Sequence, residues 1–188
     1  MEFIEQHIPG VWEIRLRPIG DERGFFMRAY DRTSFEQRGL HRDWLQENHA
    51  LSTRRGTLRG LHFQFPPHAE TKLVRVVRGE ILDVFVDLRQ NSPTFGRWGA
   101  IHLSDERKNL AYVPRGFAHG YQTLSEVAEV IYKVDSVYAP DYEGGLSWDD
   151  PDLGIEWPVL PPILSEKDTR QPSLQEFIHN QQAIKLIT

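Results

Sequence analysis

Between Gly56 and Leu73 the chain reads Gly-Thr-Leu-Arg-Gly-Leu-His-Phe-Gln-Phe-Pro-Pro-His-Ala-Glu-Thr-Lys-Leu, concentrating Arg59, His62, Gln64 and Lys72 in what reads as buried strand. An imidazole titrates near neutral pH and can take or give a proton, and a nearby cation can stabilise an anion. The competing account of His62 is a core histidine bonded to backbone, because buried polar groups are nearly always paired. Other reactive types stand further along: His119 closes Pro114-Arg115-Gly116-Phe117-Ala118-His119, Tyr132 and Lys133 interrupt an apolar run, and Asp168 ends Leu164-Ser165-Glu166-Lys167-Asp168. Arg23 and Arg28 flank Phe25 and Phe26, as solvated charges or as a pair that holds a phosphate or stacks on a base. Asp83 and Asp87 are either solvated or partners of buried cations.

The elements that must position these groups are short strands. Leu58, Gly60, His62 and Gln64 fall on one face of an extended chain, Leu61, Phe63 and Phe65 on the other, and Pro66-Pro67 ends the strand. Arg59 and His62 are an odd number apart, so a regular strand cannot send both inward; if both line one cavity, Gly60 marks a bulge or kink. Lys72–Val77 and Ile81–Leu88 are β-branched runs joined through Arg78-Gly79-Glu80, a hairpin signal. In the second run Leu82, Val84, Val86 and Leu88 share an apolar face opposite Ile81, Asp83, Phe85 and Asp87. Further strands are expected at Gly10–Pro18, after the turn at Asp21–Gly24, within Trp44–Ser52, at Arg97–Leu103, Leu110–His119, Tyr121–Leu124 and Ala128–Val134. One short capped helix is expected from Thr33 or Ser34 to the Gly39 stop, and a helical turn within Ser173–Ile178 of a polar tail. Strands separated by Gly/Pro turns indicate an antiparallel sandwich or barrel.

Composition agrees. The 188 residues, 39% apolar and 26% charged, suit one globular domain, and 12 prolines with 14 glycines suit many turns. The absence of cysteine excludes disulfides and thiolate metal sites and fits a reducing compartment. The first residues lack a signal-peptide pattern and no run approaches a membrane span, so a cytoplasmic protein without membrane contact is expected. A net charge of −5 argues against a general nucleic-acid binder.

The Pro-x-Gly-x-x-His form of Pro114–His119 is that of the second cupin motif, and Gly60–Gly79 stands in the place of the first. This supports an all-β jelly-roll barrel of the cupin type, spanning residues 1–188 as one domain. Many cupins hold a metal between two close histidines, a carboxylate and the later histidine. Here the close pair is His62 and Gln64, and the remaining candidates His68 and Glu70 follow Pro66-Pro67 in a loop. No metal and no cofactor are therefore expected.

From Gly20 to about Asp168 the chain resembles the dTDP-4-dehydrorhamnose 3,5-epimerases of deoxysugar biosynthesis. The resemblance rests on Asp21-Glu22-Arg23-Gly24-Phe25-Phe26, Gly56–Gln64, Lys72-Leu73-Val74-Arg75, Asp83–Arg89, Ser92–Gly96, Pro114–Gly120, Tyr132-Lys133, Trp148-Asp149-Asp150-Pro151 and Ser165–Asp168. It implies a metal-free cupin homodimer acting on a nucleotide-linked 4-keto-6-deoxyhexose. By the same resemblance His62 is the general base, Asp168 its partner, Tyr132 the proton donor and Lys72 a cation near the keto oxygen. Arg23, Arg59, His119, Glu143 and Lys167, with Gln46 and Asn48, match positions that hold the nucleotide sugar, and Tyr138 an aromatic that stacks on the base. Arg28 joins the substrate-binding set with a difference: relatives commonly carry an acidic residue there, and an aspartate at Glu47. An arginine donates where a carboxylate accepts, which implies altered nucleotide contacts.

The chemistry asks for these residue types independently. Carbons 3 and 5 flank a ketone, so their protons can be removed if the enolate oxygen is stabilised by a cation such as Lys72. A histidine backed by a carboxylate takes the proton, and inversion needs an acid on the other face, which a tyrosine can supply. Two alternatives remain open: an epimerase of one centre or of CDP- or GDP-sugars, and a non-catalytic sugar-binding cupin.

Overall fold

The computed structural model describes residues 1–181, mostly antiparallel strand with two short α-helices. In chain order the strands are β1 (Glu2–Glu5), β2 (Trp12–Arg15), β3 (Ile19–Asp21), β4 (Gly24–Phe26), β5 (Gln46–Ser52), β6 (Leu58–Gln64), β7 (Lys72–Arg78), β8 (Glu80–Asp87), β9 (Trp98–Ser104), β10 (Asn109–Val113), β11 (Phe117–Thr123), β12 (Ala128–Val134) and β13 (Glu143–Gly145). The helices are α1 (Arg32–Glu36) and α2 (Leu174–Gln181). Six strands form one sheet, β1-β2-β10-β7-β12-β5; five form a second, β13-β6-β11-β8-β9; β3 and β4 pair separately.

The two large sheets lie face to face. Val74 and Val76 of β7, Ala111 and Val113 of β10 and Val130 of β12 meet Ile81 and Phe85 of β8, Ile101 of β9 and Phe117 of β11 in one buried cluster. Alternation along each strand sends the other residues outward, where both sheets are covered again. Behind the second sheet, Leu58, Leu61, Phe63, Val84 and Val86 pack on Leu146, Leu153, Trp157, Leu174 and Phe177 of the C-terminal segment. Behind the first, Ile14, Leu73, Leu110 and Tyr112 pack on Phe35 and Leu40 in and after α1. This is the all-β, cupin-like jelly roll that the motifs indicate.

Three local expectations need correction. Lys72–Val77 and Ile81–Leu88 do not form a hairpin: β7 and β8 lie in opposite sheets, and Gly79, at a φ of 79°, turns a corner between them. A glycine between β-branched runs serves either link; the apolar inner faces decide, because Val74 and Val76 pack on Ile81 and Phe85 across the sandwich. Leu58 does not share a face with His62 but joins Leu61 and Phe63 on the outer side of its sheet. Finally, α1 starts earlier than expected, because the Asp31 carboxylate caps it by accepting from the Ser34 amide at 2.9 Å. The helical turn within Ser173–Ile178 is the start of α2, and the polar tail from residue 182 onward lies outside the described residues.

Candidate active site

A cavity of about 260 Å³ opens between the sheets, walled by Arg59 and His62 of β6, His119 and Tyr121 of β11, Lys72 and Val74 of β7 and Tyr132 of β12. Ser165, Lys167 and Asp168 close one side from the C-terminal segment. Arg59 and His62 reach it together because β6 is bulged. His119 pairs with His62 and Tyr121 with Arg59, so two steps along β11 span three along β6. Gly60 sits in that step with a φ of +127°, and a Cβ there would lie 2.5 Å from the Gly120 Cα and 2.8 Å from the His119 carbonyl oxygen. Only glycine fits this crossing.

His62 Nε2 donates to Asp168 Oδ1 at 2.6 Å, and Ser165 Oγ donates to Asp168 Oδ2 at 2.7 Å. With Nε2 committed to the carboxylate, Nδ1 is the nitrogen left to accept a proton. Burial pushes the Asp168 carboxyl up, but the hydrogen bonds from His62 and Ser165 and the charge of His62 outweigh it and hold the pKa below the ordinary carboxylate value. A second histidine–carboxylate pair stands on the neighbouring strands: His119 Nε2 donates to Asp83 Oδ2 at 2.8 Å, and Asp83 is fully buried. Asp83 is therefore an inward partner rather than a solvated charge.

The opposite wall carries the other two groups. Lys72 is largely buried, its ammonium 2.5 Å from Glu70 Oε1 and 5.8 Å from the centre of the Tyr132 ring. Tyr132 is paired across the ladder with Asn48 of β5, whose parity matches the cavity-lining Ala50. At the rim, Glu143 accepts from Lys167 at 2.6 Å and from the Tyr138 hydroxyl at 3.0 Å, and Gln46 accepts from the Tyr138 amide at 2.8 Å. Burial raises the Glu143 carboxyl, but the Lys167 and Tyr138 hydrogen bonds and the charges of Lys167 and His62 bring it below its usual value. The hydrogen bond to Glu143 in turn holds the Tyr138 phenol above its own.

Two residues in the expected set stand elsewhere. Arg23 is exposed and paired with Asp21 at 2.5 Å, and Arg28 is exposed 3.6 Å from Asp31 Oδ2. Both belong to the β3–β4 hairpin and its exit, outside the cavity of this chain. Gln64 does not share the cavity with His62. Its amide holds the chain in place, donating to His68 and Val137 carbonyls and accepting from the Ala139 amide at 2.7 Å. Among the described residues no three histidine or carboxylate side chains converge as metal ligands.

A family model described as dTDP-4-dehydrorhamnose 3,5-epimerase matches residues 5–176. The chain belongs to that family. It is 47% identical over 169 residues to the dTDP-4-dehydrorhamnose 3,5-epimerase of Shigella flexneri, an alignment covering 89% of this chain and 93% of the relative. The crystal structure of the Bacillus anthracis enzyme of that name, with TDP and pyrophosphate bound, superposes with a TM-score of 0.90 at 44% identity, covering 92% and 99% of the two chains. The Legionella pneumophila structure described as dTDP-6-deoxy-D-glucose-3,5-epimerase, in complex with dTDP-4-keto-L-rhamnose, does so at 0.91 and 36% identity over 100% and 99%.

The cavity also contains two groups, Tyr121 and Ser165, to which the motifs gave no role. Tyr121 is buried beside Arg59, and its position two residues beyond His119 on one strand was the available signal. Ser165 stands one helical turn before Asp168 and bonds it, a spacing that a turn ending in Asp suggests only weakly. Asp83, which bonds His119 without lining the cavity, stood in the sequence as a possible partner of a buried cation and within the Asp83–Arg89 motif.

Proposed function

We propose that this protein epimerises carbons 3 and 5 of dTDP-4-dehydro-6-deoxy-D-glucose, giving dTDP-4-dehydro-L-rhamnose. The observation that carries this reading is the division of the cavity between two walls. The His62–Asp168 pair stands on β6 and the C-terminal segment, while Lys72 and Tyr132 stand on the facing sheet. In this reading His62 Nδ1 removes the proton beside the ketone, and Asp168 stabilises the imidazolium that forms. The Lys72 ammonium stabilises the oxyanion developing at carbon 4. Tyr132, across the cavity, returns a proton to the opposite face of the ring, and configuration inverts. Arg59, His119, Gln46 and Asn48 hold the nucleotide sugar, with Glu143, Lys167 and the exposed Tyr138 at the rim.

The site belongs to a single catalytic domain that we place in the cytoplasm and assemble as a homodimer. A chain free of cysteine accords with a reducing compartment, and no helix among the described residues is long and apolar enough to cross a membrane. Dimerisation is supported by the β3–β4 hairpin, where Ile19, Phe25 and Phe26 are 74%, 56% and 69% exposed in the single chain. A second copy covering that hairpin would also give Arg23 and Arg28 a setting other than solvent.

Incubation with dTDP-, CDP- and GDP-linked 4-keto-6-deoxyglucose in deuterated water tests the reading. The expected result is inversion with deuterium at both carbons of the dTDP-sugar. Absence of exchange in that substrate overturns the proposal, exchange at one carbon makes the protein a single-centre epimerase, and preference for another nucleotide reassigns the substrate.

A further inference from the structure

Behind the cavity wall stands a carboxylate with no part in the steps above. Glu70 does not line the cavity, yet its carboxylate bonds the ammonium of Lys72, which does. Both side chains are only 12% exposed. Holding two charges so far from water is an unpromising way to gain stability, because desolvation offsets most of the Coulomb attraction. The backbone beside the carboxylate is anchored. The next residue, Thr71, donates its amide to the buried Asp135 carboxylate at 2.6 Å, and Gln64 Nε2, shared with the His68 and Val137 carbonyls, lies 3.3 Å from the second Glu70 oxygen.

We propose that Glu70 is a positioning residue for the epimerisation, holding the Lys72 ammonium at the cavity wall before substrate arrives. The inference rests on the reading of Lys72 as the cation for the enolate oxygen. A lysine has a flexible four-carbon stem, and an untethered ammonium must lose that freedom in the transition state; one fixed beforehand does not. An ammonium has three donors, so a bond to Glu70 leaves two for the substrate oxygen. The pair therefore need not break during the reaction. Among the described residues the polar partners of the Glu70 carboxylate are Lys72 and Gln64, and it does not line the cavity, which predicts an effect on turnover rather than on substrate affinity.

A double-mutant cycle on the full chain, with the dTDP-linked 4-keto-6-deoxy sugar in deuterated water, tests this. Lys72→Ala is expected to slow exchange by about 10²-fold or more, the scale of losing an oxyanion donor. Glu70→Ala is expected to lower kcat about tenfold with KM within about twofold, and Glu70→Gln, whose amide oxygen accepts the same hydrogen bond, to restore kcat to within about threefold of the parent. In the Lys72→Ala background Glu70→Ala should do nothing further, because its only route to the substrate is gone. Should Glu70→Ala not fold, Glu70→Asp, one methylene too short, takes its place in the same cycle with a smaller fall in kcat. Parental kcat in Glu70→Ala overturns the proposal while leaving the role of Lys72 intact, as does a loss that persists undiminished without Lys72. Parental exchange in Lys72→Ala removes the role of Lys72 itself, and this inference with it.

Discussion

His62 and Tyr132, the base and acid of the proposed mechanism, stand on opposite walls, so single substitutions should separate their contributions. His62→Ala removes the base and should abolish both epimerisation and deuterium uptake at carbons 3 and 5. Tyr132→Phe leaves the base and Lys72 in place, so protons can still leave and return on the original face. Deuterium should then enter with retained configuration, while inversion falls by roughly 10²-fold or more. A product mixture analysed by NMR distinguishes the two, and equal silence in exchange would reduce the mechanism to one residue. Asp168 predicts a pH effect on stability. Its folded pKa lies below the ordinary value, so its contribution is complete above the unfolded carboxylate pKa of about 4 and is lost as pH falls through the lower folded one. Denaturant unfolding at stepped pH should find Asp168→Asn less stable than the parent near neutrality, with the gap closing below about pH 4. Residue types were the most legible layer of the sequence: His62, Lys72, Tyr132 and Asp168 all reach one cavity or bond into it. Glu70 was visible only as a leftover metal candidate, because nothing in a sequence says that a loop carboxylate will fold back onto a lysine two residues on.

At the scale of the element, the informative feature is the bulge in β6. Parity along the strand demanded an irregularity if Arg59 and His62 were to share a cavity, and glycine at position 60 named its place. The register shift against β11 lies there. Gly60→Ala must force a side chain into a left-handed conformation and against the backbone of Gly120 and His119. It should cost about 2–5 kcal/mol of stability, read as a lowered denaturation midpoint, and displace the imidazole along with Arg59. Strand existence was readable from alternation, whereas strand partnership was not. The Gly79 link illustrates why: a corner and a hairpin use the same glycine, and the choice belongs to the packing of one sheet on the other. The same holds for Leu58, whose face follows from the bulge and not from counting by twos through it.

At the scale of the whole molecule, the β3–β4 hairpin gathers three exposed large apolar side chains, Ile19, Phe25 and Phe26. If a second copy covers it, light scattering should give twice the chain mass, and Phe26→Glu should yield monomers at micromolar concentration; a parental chain that scatters as a monomer would remove the dimer. Exposure of this kind was not legible in advance, since aromatic residues in a strand read as core. One further consequence belongs to the path of the chain. His62 and the carboxylate it bonds are separated by 106 positions, with half of the first sheet and all of the second but β6 itself between them. A ribosome therefore makes His62 long before Asp168. No nascent chain can pair His62 with Asp168 until Ser165–Asp168 has left the exit tunnel and docked on β6, so a chain released before that point holds the histidine without its carboxylate.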